Sequence, residues 1–202
     1  MTSQQRYKLS FTAASLLLTE SIKVAEVYVA FPDWEQARDV IFQENILQSR
    51  TESRTKRIFY EAKQRLATLT DEQLDTLVNG TIDEQRQILW LAVCKCYQFI
   101  HEFATEVIHE KFLALDLLLT EADYRAFYNR KAGWHPELEE ITESSQKMLR
   151  TRLFKMLNES GMVDNDQRII RLLPSLRLVH AVNNDPAITY RIYPSYPIDF
   201  QK

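Results

Sequence analysis

Thr81-Ile82-Asp83-Glu84-Gln85-Arg86-Gln87-Ile88-Leu89-Trp90-Leu91-Ala92-Val93-Cys94 is the stretch that decides the fold. Thr81 followed three residues later by Glu84 is a capping box, in which each side chain satisfies a backbone N–H at the start of a helix. Behind it the apolar residues continue with Tyr97, Phe99, Ile100, Phe103, Val107, Ile108, Phe112 and Leu113. This density predicts the central core, built over residues 88–115 from two helices with a bend between them. The uninterrupted apolar run, residues 88–94, is far shorter than the ~20 residues a membrane span needs.

Outward from that core the helix signals are closely punctuated. Asn79-Gly80 is a stop, and Thr70-Asp71-Glu72-Gln73 before it is another capping box. Further upstream, residues 16–29 form a first long helix that ends before Phe31-Pro32, because proline biases its predecessor away from helical geometry. Asp33-Trp34-Glu35-Gln36 opens a short helix to about residue 43. A turn through residues 44–50 follows, and Thr51 caps a helix running to about residue 69. Downstream, Thr120-Glu121-Ala122-Asp123 caps a helix to about Lys131, and Pro136 suits the first turn of a short one. Thr142 caps a helix over residues 143–160, with Gly161 as its terminator. Residues 169–174 read as a short strand, 175–182 as helix, and Tyr190-Arg191-Ile192-Tyr193 alternates like a strand. Only 3 Gly and 6 Pro among 202 residues agree with helices in place of many short strands. The expected fold class is all-α, with room for a short C-terminal β-wing. Its segments are 1–69, 70–118 and 119–202, joined in one compact unit.

Charge is unevenly distributed. From Arg50 to Thr68 there are six basic residues and two acidic ones, in a chain of net charge −3. Residues 147–177 hold seven basic and three acidic side chains, whereas residues 69–146 hold six and fifteen. Each basic segment contains an amphipathic helix preceded by two others, the layout of a helix–turn–helix reader. On the first helix Thr55, Ile58, Phe59, Ala62 and Leu66 fall inward. Ser53, Arg57, Tyr60 and Gln64 fall outward, flanked by Lys56 and Lys63 on one edge and by Arg54 and Arg65 on the other. On the second, Leu149, Leu153, Met156 and Leu157 face in. Ser144, Lys147, Thr151 and Lys155 face out, Arg150 and Arg152 lie nearer the edges, and Arg168, Arg171 and Arg177 follow in the expected wing. A charged outer face is often no more than a solvated one; here the capping, the turn placement and the repeated polarity coincide.

Other chemistry is sparse. Cys94-x-Cys96 sits in a helix, where residues two apart do not face each other. There is no Gly-rich phosphate loop, Gly-x-Ser-x-Gly or His-Glu-x-x-His. His101 and His109 are about two turns apart, and Glu102, Glu106 and Glu110 read as a solvated ladder. His135 reads as a turn histidine on Trp134, and His180 has no evident partner. No enzymatic activity and no cofactor are expected. After Arg6 and Lys8, Ser, Thr and Glu interrupt the apolar residues, which is not a signal-peptide layout, so the expected location is the cytoplasm.

Several strings resemble those of the BrxA family, a small core component of type 1 BREX (bacteriophage exclusion) systems. They are Leu9-Ser10-Phe11-Thr12, Glu20-Ser21-Ile22-Lys23-Val24-Ala25-Glu26, Asp33-Trp34 and residues 44–58. Further along come Leu89-Trp90-Leu91-Ala92, Phe99-Ile100-His101-Glu102-Phe103-Ala104 and Glu110-Lys111-Phe112-Leu113. The most distinctive is Lys131-Ala132 with Trp134-His135-Pro136-Glu137-Leu138; Leu149-Arg150, Leu153-Phe154 and Met156-Leu157 complete the set. The resemblance implies an all-α, DNA-binding component of an anti-phage defence system that also methylates host DNA, with two helix–turn–helix elements beside positive surface. It leaves methyltransferase, ATPase and phosphatase-like activities to other BREX proteins. The expectation is therefore a non-enzymatic, monomeric binder of double-stranded DNA. Gln48, Arg50, Thr51, Ser53, Arg54, Lys56, Arg57 and Lys63 form one surface, and Ser144, Lys147, Arg150, Thr151, Arg152 and Lys155 the second. Cations would neutralise phosphates, with Gln48, Thr51 and Ser53 as base readers. Two other readings stand beside it. One is a protein-interaction adaptor for other BREX proteins such as the methyltransferase. The other is an RNA binder of the NusB type.

Overall fold

The structure, a computed structural model, describes residues 6–201. Residues 1–5 and Lys202, at the limits of the first and third expected segments, lie outside the described residues. The fold is all-α, and most helix starts follow from the caps in the sequence. Helix α1 (Leu18–Ala30) ends at Phe31, ahead of Pro32. Helix α2 (Trp34–Gln43) is capped by Asp33, whose carboxylate accepts from the amides of Glu35 and Gln36. Helix α3 (Glu52–Leu66) is capped by Thr51. Helices α4 (Asp71–Asn79) and α5 (Ile82–Cys96) both open with reciprocal capping boxes, on Thr70 and Thr81. Between them Gly80 is obligatory for space, since a Cβ there would meet the Thr76 carbonyl oxygen at 2.3 Å.

The chain bends at Tyr97 (φ −128°, ψ 98°) and continues as α6 (Gln98–Phe103), a π turn (Ala104–Ile108) and α7 (His109–Leu113). Then come α8 (Glu121–Ala132), α9 (Pro136–Glu139), α10 (Glu143–Glu159) and α11 (Leu176–Asn183). Gly161, at φ 78°, takes the left-handed position that ends α10.

Helix α5 is the axis of the molecule. Every side chain from Ile88 to Cys94 is buried, and α1, α3, α4, α6, α10 and α11 pack around it. Phe99, Phe103 and Phe127 stack edge-to-face beyond the bend. Each large apolar side chain removed from water in this way contributes about 1.5–3 kcal/mol. The C-terminal segment is tied to the axis by polar bonds: the Trp90 indole donates to the Ile192 carbonyl, and the Tyr193 hydroxyl to that of Gln87, both at 2.9 Å. Among the described residues no helix is long and apolar enough to cross a membrane.

Four local expectations are corrected. No β-wing forms among the described residues: only isolated antiparallel bridges occur, Leu118 with Arg168 and Val163 with Ile169. Tyr190–Ile192 is a 3₁₀ turn. The backbone of this segment has other partners; Leu172 N–H donates to the Pro194 carbonyl, and Pro194 and Pro197 have no N–H to offer a ladder. Arg65 is not on the edge of α3's polar face but fully buried. Its guanidinium donates to Glu61 and to the carbonyls of Ser15 and Leu16, while the Tyr97 hydroxyl donates to the same Glu61. Gln64, expected outward, is half-buried and donates to the Tyr97 hydroxyl at 2.9 Å. Periodicity placed both residues correctly on the helix, but the 10–17 segment and the α5–α6 bend cover that side.

Candidate nucleic-acid interface

The N-terminus of α3 presents a cationic, donor-rich end. Thr51 accepts the Arg54 amide at 3.3 Å, so its hydroxyl already serves the cap. Gln48, Arg50, Ser53, Arg54 and Arg57 are exposed, and Thr51, Ser53, Arg54 and Arg57 enclose a shallow cavity of about 240 Å³. Backbone N–H groups of a first helical turn beside two guanidiniums form a setting that favours a phosphate oxygen.

Two members of the first set are already engaged. Lys56 pairs with Glu52 at 2.5 Å, which holds that carboxyl below its usual range. Lys63 lies 5.7 Å above the Trp34 ring and 3.6 Å from Glu35. Their charge is largely balanced locally, which leaves Arg50, Arg54 and Arg57 as the stronger cations.

On α10, Leu149, Leu153, Met156 and Leu157 hold the helix to the core. Ser144, Lys147, Thr151 and Lys155 are exposed along the opposite stripe. Thr151 donates its hydroxyl to the Lys147 carbonyl, Ser144 bonds Thr142, and Lys155 lies 3.5 Å from Glu159. The two edge arginines go in opposite directions. Arg150 turns toward α8 and pairs with Glu121. Arg152 turns toward α3: it lines one cleft of about 190 Å³ together with Arg54 and Arg57, against Leu17 and Glu20 at the start of α1.

That convergence joins the two basic segments, which are nearly a hundred residues apart in sequence, at a single cleft. Two features assemble it. The Ser10–Ala13 3₁₀ turn packs on α10, and Leu17, at φ 58°, turns the chain sharply into α1. The Leu16 amide donates to Glu159 of α10 at 2.7 Å, fixing the approach. Glu20 went unrecognised in the sequence; it is half-buried in the cleft and opposes the guanidiniums. Nothing local marks it, because its role depends on a contact between three distant segments.

The helix–turn–helix layout fits the two segments unequally. The α2–α3 connection, residues 44–51 with Asn45 and Gln48 at positive φ, exceeds the roughly 3–4-residue turn of that motif. The α9–α10 connection, residues 140–142, matches it, although α9 is short. An adaptor would be favoured by a contiguous exposed patch of the aromatics in residues 88–115 and 190–196; of these Trp90, Tyr97, Phe99, Phe103, Phe112 and Tyr193 are buried, and Tyr190 and Tyr196 are half-buried. Among the described residues no cluster of His, Cys, Asp and Glu could hold a metal ion.

Comparison with known proteins gives a consistent picture. The family model for BrxA matches residues 5–185. The BREX protein BrxA of Bacillus cereus (strain H3081.97) is 28% identical over 83% of this chain and 84% of its own. That of Escherichia coli O9:H4 (strain HS) is 27% identical over 81% and 79%. A crystal structure of an uncharacterized protein from Magnetospirillum magneticum, 22% identical, superposes with a TM-score of 0.82 over 95% of this chain and all of that one. This last likeness establishes a shared fold.

Proposed function

The chain belongs to the BrxA family of the BREX anti-phage defence system, and on that premise we propose that it binds double-stranded DNA without catalysing a reaction on it. The observation that carries this reading is the cleft where Arg54 and Arg57 of α3 meet Arg152 of α10. A duplex backbone needs several cations in one path, and cations that converge from separate elements supply it. The exposed Lys147 and Lys155 extend the path along α10, and Arg50 extends it before α3. The two basic segments then act as one binding unit and not as two independent readers. Gln48 and Ser53, exposed at the rim, are the groups left for base edges; Thr51 is committed to its cap.

A mobility-shift titration with duplex DNA, single-stranded DNA and structured RNA of equal length, at several salt concentrations, tests the proposal. Duplex DNA is expected to bind most tightly, with affinity falling steeply as salt rises. Stronger binding of the RNA would favour the NusB-type reading, because A-form and B-form grooves differ in width and depth.

A further inference from the structure

The C-terminal end of α1 and one face of α4 enclose a groove of about 240 Å³ that has no part in duplex binding. Its walls are apolar. Tyr28, Val29 and Pro32 come from the end of α1, and Leu74 and Val78, one turn apart, from α4. Val29, Ala30, Phe31 and Pro32 are four consecutive exposed apolar residues, with Val29 52% and Phe31 45% exposed. A run of that length facing water marks a contact surface. Tyr28 is itself braced by Trp34, ring on ring at 3.9 Å, so this wall is already formed.

The rim is electronegative, from two sources. Asp71 and Asp75, exposed and one turn apart on α4, line the groove beside Leu74. Among the described residues Asp71 has no ion pair or hydrogen bond to its carboxylate, and Asp75 accepts only from the neutral Asn79 amide at 2.8 Å. The dipole of α4 takes up part of the charge on Asp71, which stands in its first turn; Asp75 has no such relief. The second source is α1. Its last turn holds no basic residue, and Pro32 has no N–H to offer the Tyr28 carbonyl four residues before it. Open carbonyls at a helix C-terminus attract cations. Arg177 donates to the Asn79 carbonyl at 3.1 Å, at the opposite end of α4 from Asp71, and pairs with neither carboxylate.

Such a rim repels phosphates and suits the opposite charge. We propose that the α1–α4 groove docks a basic amphipathic helix of another protein, with aliphatic side chains seated between Val29 and Leu74 and lysines or arginines on Asp71, Asp75 and the open α1 carbonyls. A helix laid along α4 matches the four-residue spacing of both its apolar pair and its acidic pair. The basic helices of this chain, α3 and α10, turn their apolar stripes into the core. A second copy therefore has no such helix to offer, and the partner is a different chain. The proposal stands on the groove itself and is independent of duplex binding by α3.

The test is fluorescence anisotropy of the full chain, free of DNA, with a labelled helical peptide of about 15 leucines and lysines, the leucines on one face. Two control peptides carry glutamate for lysine, or serine for leucine. The leucine–lysine peptide is expected to bind saturably, and each control at least about tenfold more weakly, because each keeps only half of the match. Asp71→Asn with Asp75→Asn should weaken the first peptide by about fivefold, the worth of two exposed ion pairs. Val29→Ser should weaken it by about threefold. Asp166→Asn, an exposed carboxylate outside the groove, should leave it unchanged. Absence of saturable binding in the millimolar range overturns the proposal, as does a glutamate peptide that binds equally well or a double variant that binds like the wild type. Sedimentation showing self-association of the wild type that the double variant abolishes would assign the groove to a second copy and overturn it equally.

Discussion

Replacing Arg54, Arg57 and Arg152 together by Gln probes the cleft with little disturbance to the fold. Arg54 and Arg57 are exposed, and Arg152 is half-buried at the cleft wall. Glutamine keeps part of the side-chain length and an amide donor but removes the charge. Each phosphate neutralised contributes ~0.9 to the slope of log affinity against log salt, so the triple variant should lose about 2.7 from the wild-type slope. Between about 50 and 200 mM salt that corresponds to a roughly 40-fold difference in how far affinity falls. Lys56→Gln is the internal comparison. Lys56 is already paired with Glu52, so its loss should change the slope by less than about half of one contact. The assay is fluorescence anisotropy of a short labelled duplex at several salt concentrations, with circular dichroism to verify helix content. A triple variant whose slope and affinity match the wild type refutes the reasoning. So does a Lys56 variant that loses as much as any arginine.

Further outcomes follow from other parts of the structure. Glu20→Gln, which removes the one acidic group lining the arginine cleft, should tighten duplex binding on the order of threefold at low salt, with the gain fading at high salt; unchanged affinity would count against this cleft as the contact surface. Arg65→Ala should cost about 3–5 kcal/mol in denaturant unfolding, because it strands the buried Glu61 carboxylate. Gly161→Ala should cost about 1 kcal/mol by the same measurement, since φ 78° strains any side chain. Stability should also fall on acidification. Burial lowers His101 and His109 from the ordinary 6.5, so their contribution is present above that value and lost as pH falls through their folded values. The lowered carboxyls of Glu84 (chiefly through the Ser175 hydroxyl) and of Glu102, Glu137 and Asp185 add a second loss below about pH 4.5. In unfolding titrations from pH 7.5 to 3.5, about the range these groups span, His109→Gln should flatten the upper part of the decline and spare the lower.

The helical skeleton was legible because caps are local. Thr70, Thr81, Thr120, Thr142 and Ser175 each sit where their side chain accepts from the first turn of the helix they were expected to open. A bend within residues 88–115 was expected, but its place at Tyr97 was not legible there. What failed was long-range. A helical wheel assigns Arg65 a direction, but it cannot report that the carbonyls of Ser15 and Leu16 wait there. A period-two pattern at Tyr190 looked like a strand, yet Ile192 is claimed by the core and its carbonyl by Trp90. The individual cations of the arginine cleft were visible in the sequence. Their meeting was not, because it depends on the Leu17 turn and on the packing of α10 against the Ser10–Ala13 turn.

Arginine modification by phenylglyoxal, read by mass spectrometry with and without duplex DNA, tests the interface most directly. Bound duplex is predicted to protect Arg54, Arg57 and Arg152 together, while the exposed Arg168 and Arg191 react as before and the buried Arg65 stays unmodified throughout. Arg54, Arg57 and Arg152 reacting at the same rate with saturating duplex as without it would contradict the interface.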